Sequence, residues 1–226
     1  MGVTKDKAID KVLKEFDKAS KLTLKQIELL QNILITKNKK IPSSTSQRLR
    51  KNEKRLDNLE LKISEKIISV VVLYSPVASE LRNLMACYRM ITNLERIGDL
   101  VIKIINSIKK LKDSRLLLLN VEDINKMTDL TYKMVSKATL SFINNDKDEA
   151  LWVIRNDISV DKLNRRISRN SILAEEVLNE ITKEILDYTA IRIIISSIER
   201  IADHAAHIAE SSIFASEGKD IRHIES

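Results

Sequence analysis

Four pairs of acidic residues are the feature of this sequence most able to do chemistry. Glu53 stands four positions before Asp57, Glu95 before Asp99, Asp157 before Asp161 and Glu199 before Asp203. On a helix, residues four apart share one face, a single turn from one another. Two like charges in that relation cost little on an exposed face. Partly buried and clustered with a second pair, they cost several kcal/mol unless neutralised. A divalent or trivalent cation would remove that cost. No Cys or His occupies a motif position, so the donors are all oxygen, which suits magnesium, manganese, calcium or oxidised iron. The plainer alternative is an ordinary salt-bridge network, with Arg82, Arg96, Arg192 and Arg200 as the available cations.

The pairs are not scattered. Glu95-Arg96-Ile97-Gly98-Asp99 and Glu199-Arg200-Ile201-Ala202-Asp203 are near copies, offset by 104 residues (199 less 95). The same offset, without gaps, carries Glu53 and Asp57 onto Asp157 and Asp161. It also aligns Asn52 with Asn156, Leu59 with Leu163, Ser64 with Ser168, Glu80 with Glu184 and Ile104 with Ile208. Ungapped register over this length marks a tandem duplication, with its seam near Leu111 to Asn120.

The elements that must position these acids are helices. With 3 Gly and 2 Pro in 226 residues, the chain lacks the breakers that sheets with tight turns require. Apolar periodicity predicts six helices: about Lys5 to Thr36, from Ser43–Ser46 to Leu73, from Pro76 to Lys112, Val121 to Ile143, Asp146 to Leu178, and Asn179 to Ser216. Pro76 is placed in the first turn of the third helix, where its missing N–H costs nothing. The short apolar run Leu116 to Leu119 is read as part of the break before the fourth helix. In the third helix, Leu81, Leu84, Tyr88, Ile91, Glu95, Gly98, Ile102 and Ile105 form one heptad stripe, which puts Glu95 at a core-type position. The fold expected is all-α, six long helices as two tandem pseudo-symmetric three-helix bundles: residues 1–115, then 116–217, then a tail, 218–226.

Composition excludes several classes. The single Cys87 rules out an internal disulfide and a Cys-based zinc site; among apolar neighbours it reads as buried and unreactive. The longest apolar run, near Ile67 to Leu73, falls far short of the roughly 20 residues that span a bilayer. Met1 to Lys11 lacks the apolar core of a signal peptide, so a cytoplasmic protein is expected. The net charge of +7 raises a metal-free, basic helical DNA-binding regulator as the second reading. Against it, the signs are interspersed, as on solvated helix faces, and basic stretches interleaved with aromatics are missing. A ferritin-type di-iron enzyme needs Glu-x-x-His, which is absent. No nucleophile, base or cofactor loop suggests an enzyme. His204 and His207 follow the last motif, and a surface or helix-packing role is preferred for them over that of supplementary ligands.

At these residues the sequence resembles the PhoU family of phosphate-transport regulators. The resemblance is carried by Ser75-Pro76-Val77-Ala78-Ser79-Glu80-Leu81-Arg82 leading into Leu94-Glu95-Arg96-Ile97-Gly98-Asp99. Its second half is Ile198-Glu199-Arg200-Ile201-Ala202-Asp203-His204 with Ile208-Ala209-Glu210, and Gly218 to His223 resembles a common family ending. The resemblance implies metal ions at the acidic pairs, in some relatives multinuclear clusters that include iron. The ligands would be Glu53, Asp57, Glu95, Asp99, Asp157, Asp161, Glu199 and Asp203; iron, zinc, magnesium and manganese are the ions considered. It further implies a homo-oligomer that restrains phosphate uptake by contacting a phosphate transporter component or a signalling protein. Contact with the membrane would come only through that partner. The sequence departs from the family where Asn often follows the motif Asp by four: here Lys103 and His207 stand. Lys103 could supply part of the positive charge that a cation would bring.

Overall fold

The six helices follow from the periodicity. The computed structural model describes residues 4–36, 41–113, 115–175 and 181–221, with side chains described outside 172–175 and 181–185. The helices are α1 (Lys5–Ile35), α2 (Ser43–Tyr74), α3 (Ala78–Lys110), α4 (Arg115–Asn144), α5 (Lys147–Glu175) and α6 (Ile181–Glu217). The expected boundary between the last two, at Leu178 and Asn179, lies outside the described residues, as does His223.

Helices α1, α2 and α3 pack as one bundle and α4, α5 and α6 as the other. The bundles meet through α3 against α6, the most extensive helix pairing in the molecule, and through α1 against α4. One contiguous apolar cluster runs through both, from Val12 and Phe16 in α1 to Ile213 and Ala215 in α6. Edge-to-face contact between Phe16 and Phe142, with centroids 5.3 Å apart, ties α1 to α4. The polar faces of these two helices also meet: Gln31 donates to Asp129 at 2.7 Å and Tyr132 to Glu28 at 3.2 Å. Within the first bundle, Lys62 and Lys66 hold the largely buried Glu15 carboxylate at 2.9 and 3.2 Å, and these contacts bring its pKa down to about 2 against the opposing effect of burial.

Three local expectations are corrected. The fourth helix starts at Arg115, not Val121. Asp113 accepts from the Arg115 backbone N–H at 2.9 Å, an Asx-type turn that leads into the helix. Leu116, Leu117, Asn120 and Val121 then bury in helical register, so the apolar run is the first turn rather than a break. Pro76 lies outside α3, which begins at Ala78. The preceding turn uses left-handed backbone at Ser75 (φ 44) and Ala78 (φ 25), and the Glu80 carboxylate accepts the Val77 N–H at 3.1 Å. The stripe through Glu95 is not uniformly buried. Leu84 and Ile91 are inaccessible, whereas Leu81 and Tyr88 are 37% and 40% exposed. A period of 3.6 drifts away from a heptad, so the stripe runs along the rim of the core and Glu95 sits at its edge.

The connection between the bundles, described over 111–113, is pinned by one buried carboxylate. Asp187, 3% exposed on α6, accepts the backbone N–H of Lys112 at 2.5 Å and of Asp113 at 2.7 Å.

Candidate functional site

The acidic motif needs its helices close together, and the two halves achieve this with complementary residues. A Cβ on Gly98 would come within 2.8 Å of Leu56 Cδ1, so the glycine lets α2 seat a leucine against α3 beside the acids. At the equivalent positions the second half has Ala202 and Val160, both fully buried. A larger residue on one helix is matched by a smaller one on its neighbour, as constant core volume demands.

Around each such contact the predicted acids gather. In the first half, Glu53 and Asp57 on α2 face Glu95 and Asp99 on α3. All four are partly buried. Burial raises the pKa of Glu53, with Asp57 and Asp99 adding to the rise. Burial also raises that of Glu95, followed by Asp99; Arg96 opposes, and Asp57 and Glu60 add. In the second half, Asp157 is raised to about 6, first by burial and then by Asp203, Asp161, Glu199 and Glu210. Asp203 is raised by burial, then by Glu199 and Asp161, while His207 and Arg200 pull the other way. The structure thus brings all eight predicted residues into two electrostatically coupled groups of four.

The salt-bridge alternative accounts for little of this. Glu95 meets Arg96 at 3.5 Å and Asp161 meets Arg165 at 3.9 Å, both loose and between near neighbours in sequence. Among the described residues, Glu53, Asp57, Asp99, Asp157, Glu199 and Asp203 have no ion pair. Arg192 bonds Ser168 instead, and Arg82 lies elsewhere, against Gly218. The Asp157 Oδ1 atom is buried with no hydrogen-bond partner, which leaves an acceptor oxygen desolvated and uncompensated.

Such a cluster is relieved by a proton or by a cation. The donors fit a hard cation in kind, being carboxylate oxygens, and Asp157 Oδ1 offers an unshared lone pair. They do not close a shell as they stand: among the described residues, no three Asp, Glu, His or Cys side chains are arranged to hold a metal ion.

Two acids were missed by pattern reasoning. Glu60 and Glu210 join the first and second groups, yet neither belongs to an acid-x-x-x-Asp pair, and their duplicates are Asn164 and Asn106. His204 takes the helix-packing role preferred for it. Burial lowers its pKa to about 4, and the neutral ring shares a 2.8 Å hydrogen bond with Asn93 of α3. His207 is exposed, its ring edge-on to that of His204 with centroids 6.2 Å apart. Cys87 is fully buried and its thiol is pushed up to about 12 by burial, as an inert core cysteine should be. Among the described residues no helix is long and apolar enough to cross a membrane.

Comparison with known proteins adds an independent line. The family profile for the PhoU domain matches residues 5–108 and again 124–212. A phosphate-specific transport system accessory protein PhoU homolog of Aquifex aeolicus is 30% identical over 216 residues, covering 94% of this chain and 96% of that protein. A homolog of that description from Methanothermobacter thermautotrophicus is 27% identical over 92% of each chain. The crystal structure of PhoU from Pseudomonas aeruginosa superimposes with a TM-score of 0.85 at 25% identity, covering 96% of this chain and all of that one.

Proposed function

Because the chain belongs to the PhoU family, we propose that it is a non-enzymatic accessory regulator of a phosphate transport system. It restrains uptake, and associated starvation signalling, through contacts with a transporter component or a signalling protein. The observation that carries this reading is the match of both repeats, nearly end to end, to relatives named as accessory proteins of phosphate-specific transport.

The carboxylate groups deepen it. Glu53, Asp57, Glu95 and Asp99 would hold cations in the first half, and Asp157, Asp161, Glu199 and Asp203 in the second. The ion, of the class iron, zinc, magnesium or manganese, supplies the positive charge these acids lack. The residues themselves bind it from two helices, so that α2 is fixed to α3 and α5 to α6, and the outer faces present one shape to the partner.

Elemental analysis of the purified protein beside a variant carrying Asp99→Ala and Asp203→Ala tests the metal reading. Stoichiometric metal in the parent and a large loss in the variant are expected; near-zero metal in both would remove it. The regulatory reading is tested separately, by co-purification with transporter components from cells grown with and without phosphate. Failure to retain any transporter or signalling component under either condition would count against it.

A further inference from the structure

A cavity of about 600 Å³ opens away from both carboxylate groups, where α1, α3, α4 and the end of α6 meet. Its floor is apolar and includes the Phe16–Phe142 pair. Its wall carries Ser79, Arg82 and Asn83 from the first turns of α3, and Asn145 just beyond the end of α4. Its size is that of a small-molecule site, and its lining sets polar side chains around an apolar floor.

Three features point to the sign of the occupant. Arg82 lines the cavity and has no ion pair among the described residues. A guanidinium is always charged; its Nε is buried on the side of Gly218, so the remaining N–H groups are the ones a ligand could meet. The other two charged residues in the lining are already engaged, Lys14 with Asp10 and Asp17 with Lys21, each at 2.6 Å. That leaves one unanswered positive charge. Finally, the N-terminal turn of α3 faces the cavity through Ser79, and a helix start carries partial positive charge.

Ala78, next to Ser79, has φ 25 and Asn145 has φ 53, two left-handed residues that fix the turns on either side of the cavity. Gly218, with φ 71, lies across the Arg82 guanidinium, where a Cβ would stand 3.4 Å from Nε. A side chain there would be strained by the backbone and tight against the arginine. The backbone of the segment after α6 thereby covers Arg82 from one side and holds it in the wall.

We propose that this cavity binds a small organic anion with an apolar or aromatic body, its charged head against Arg82 and its body on the Phe16–Phe142 floor. The head is a carboxylate, a sulfonate or a phosphate monoester. The site joins helices of both bundles, so occupancy favours their present packing. It is independent of the cation sites.

The test uses the full chain and two probes of one shape, 2-naphthoate and its uncharged amide, 2-naphthamide, titrated by calorimetry. Naphthoate should saturate one site per chain and bind about tenfold or more tightly than the amide, the increment of one charge-assisted hydrogen bond. In Arg82→Gln, with helicity and melting temperature checked, the two probes should become equal. Equal binding by the unmodified protein overturns the proposal, as does no saturable naphthoate binding. So does undiminished preference for naphthoate in the folded Arg82→Gln variant. The probe comparison on the unmodified protein decides the matter even if that variant fails to fold. Carboxylate and phosphate-ester ligands are then separated by competing naphthoate with decanoate or with phenyl phosphate.

Discussion

Asp157→Asn is expected to stabilise the metal-free protein at neutral pH while lowering its cation content. The side chain is nearly isosteric, but it carries no charge into the group formed with Asp161, Glu199, Asp203 and Glu210. In the native chain Asp157 titrates at about 6, against an ordinary value of 3.8. Below 3.8 the acid is protonated whether the chain is folded or not, and the substitution should change stability little. Between 3.8 and about 6 the unfolded chain loses the proton that the folded chain retains, so native stability declines as pH rises. Above about 6 the full cost of the buried charge is present. The substituted amide carries no such cost. The gain at pH 7 should be about 1–2 kcal/mol once solvent screening of this half-exposed group is allowed for. Urea denaturation of chelator-treated protein at pH 4 and pH 7 measures it. Addition of metal should then stabilise the parent more than the variant, since only the parent keeps all its charged donors. If the variant is less stable than the parent at pH 7 without metal, the carboxylate is serving an unrecognised structural partner and the cluster reading fails.

Asp187→Ala should be the more damaging single change, at about 3 kcal/mol or more, with no effect on metal content. Its two carboxylate oxygens answer the Lys112 and Asp113 amides, and hydrogen bonds to a charged group are worth about 1.5–3 kcal/mol each. Truncation leaves these amides without their acceptor in the connection between the bundles. Asp187→Asn tests the geometry, because the amide oxygen can answer one N–H while the NH₂ faces the other. Its loss should approach that of alanine. Thermal melting of the three proteins at equal concentration gives the comparison; a shift of less than about a degree for alanine, where about 3 kcal/mol should move the midpoint by several degrees, would show that the connection needs no such anchor.

Much of the architecture is legible in the sequence, for physical reasons visible in particular residues. Long periodic segments with few breakers leave little choice but helices, and the ungapped offset of 104 assigned each acid a counterpart. That register carried Glu53 and Asp57 onto Asp157 and Asp161, and the raised carboxyl groups place each pair close enough to interact with the acids of the neighbouring helix. What escaped were contacts with no duplicate. Asp187 corresponds to Asn83, so the repeat carried no signal for it. It acts at the connection between the halves, where the duplication has no equivalent to copy. The start of α4 was misplaced because a polar break beside a short apolar run can end one helix or begin another. Only the Asp113 turn and the burial of Leu116 and Leu117 decide it.

The continuous apolar cluster across α3 and α6 bears on how the molecule comes apart. Separate cores would melt one after the other, and each repeat would survive alone. A shared core makes every residue on that seam a reason for one repeat to keep its neighbour. Calorimetry should therefore show a single heat-absorption peak whose van't Hoff and measured enthalpies agree. A chain cut after Asp113 would present bare leucine and isoleucine to water and is expected to aggregate. What began as two copies of one unit has become a single thermodynamic object.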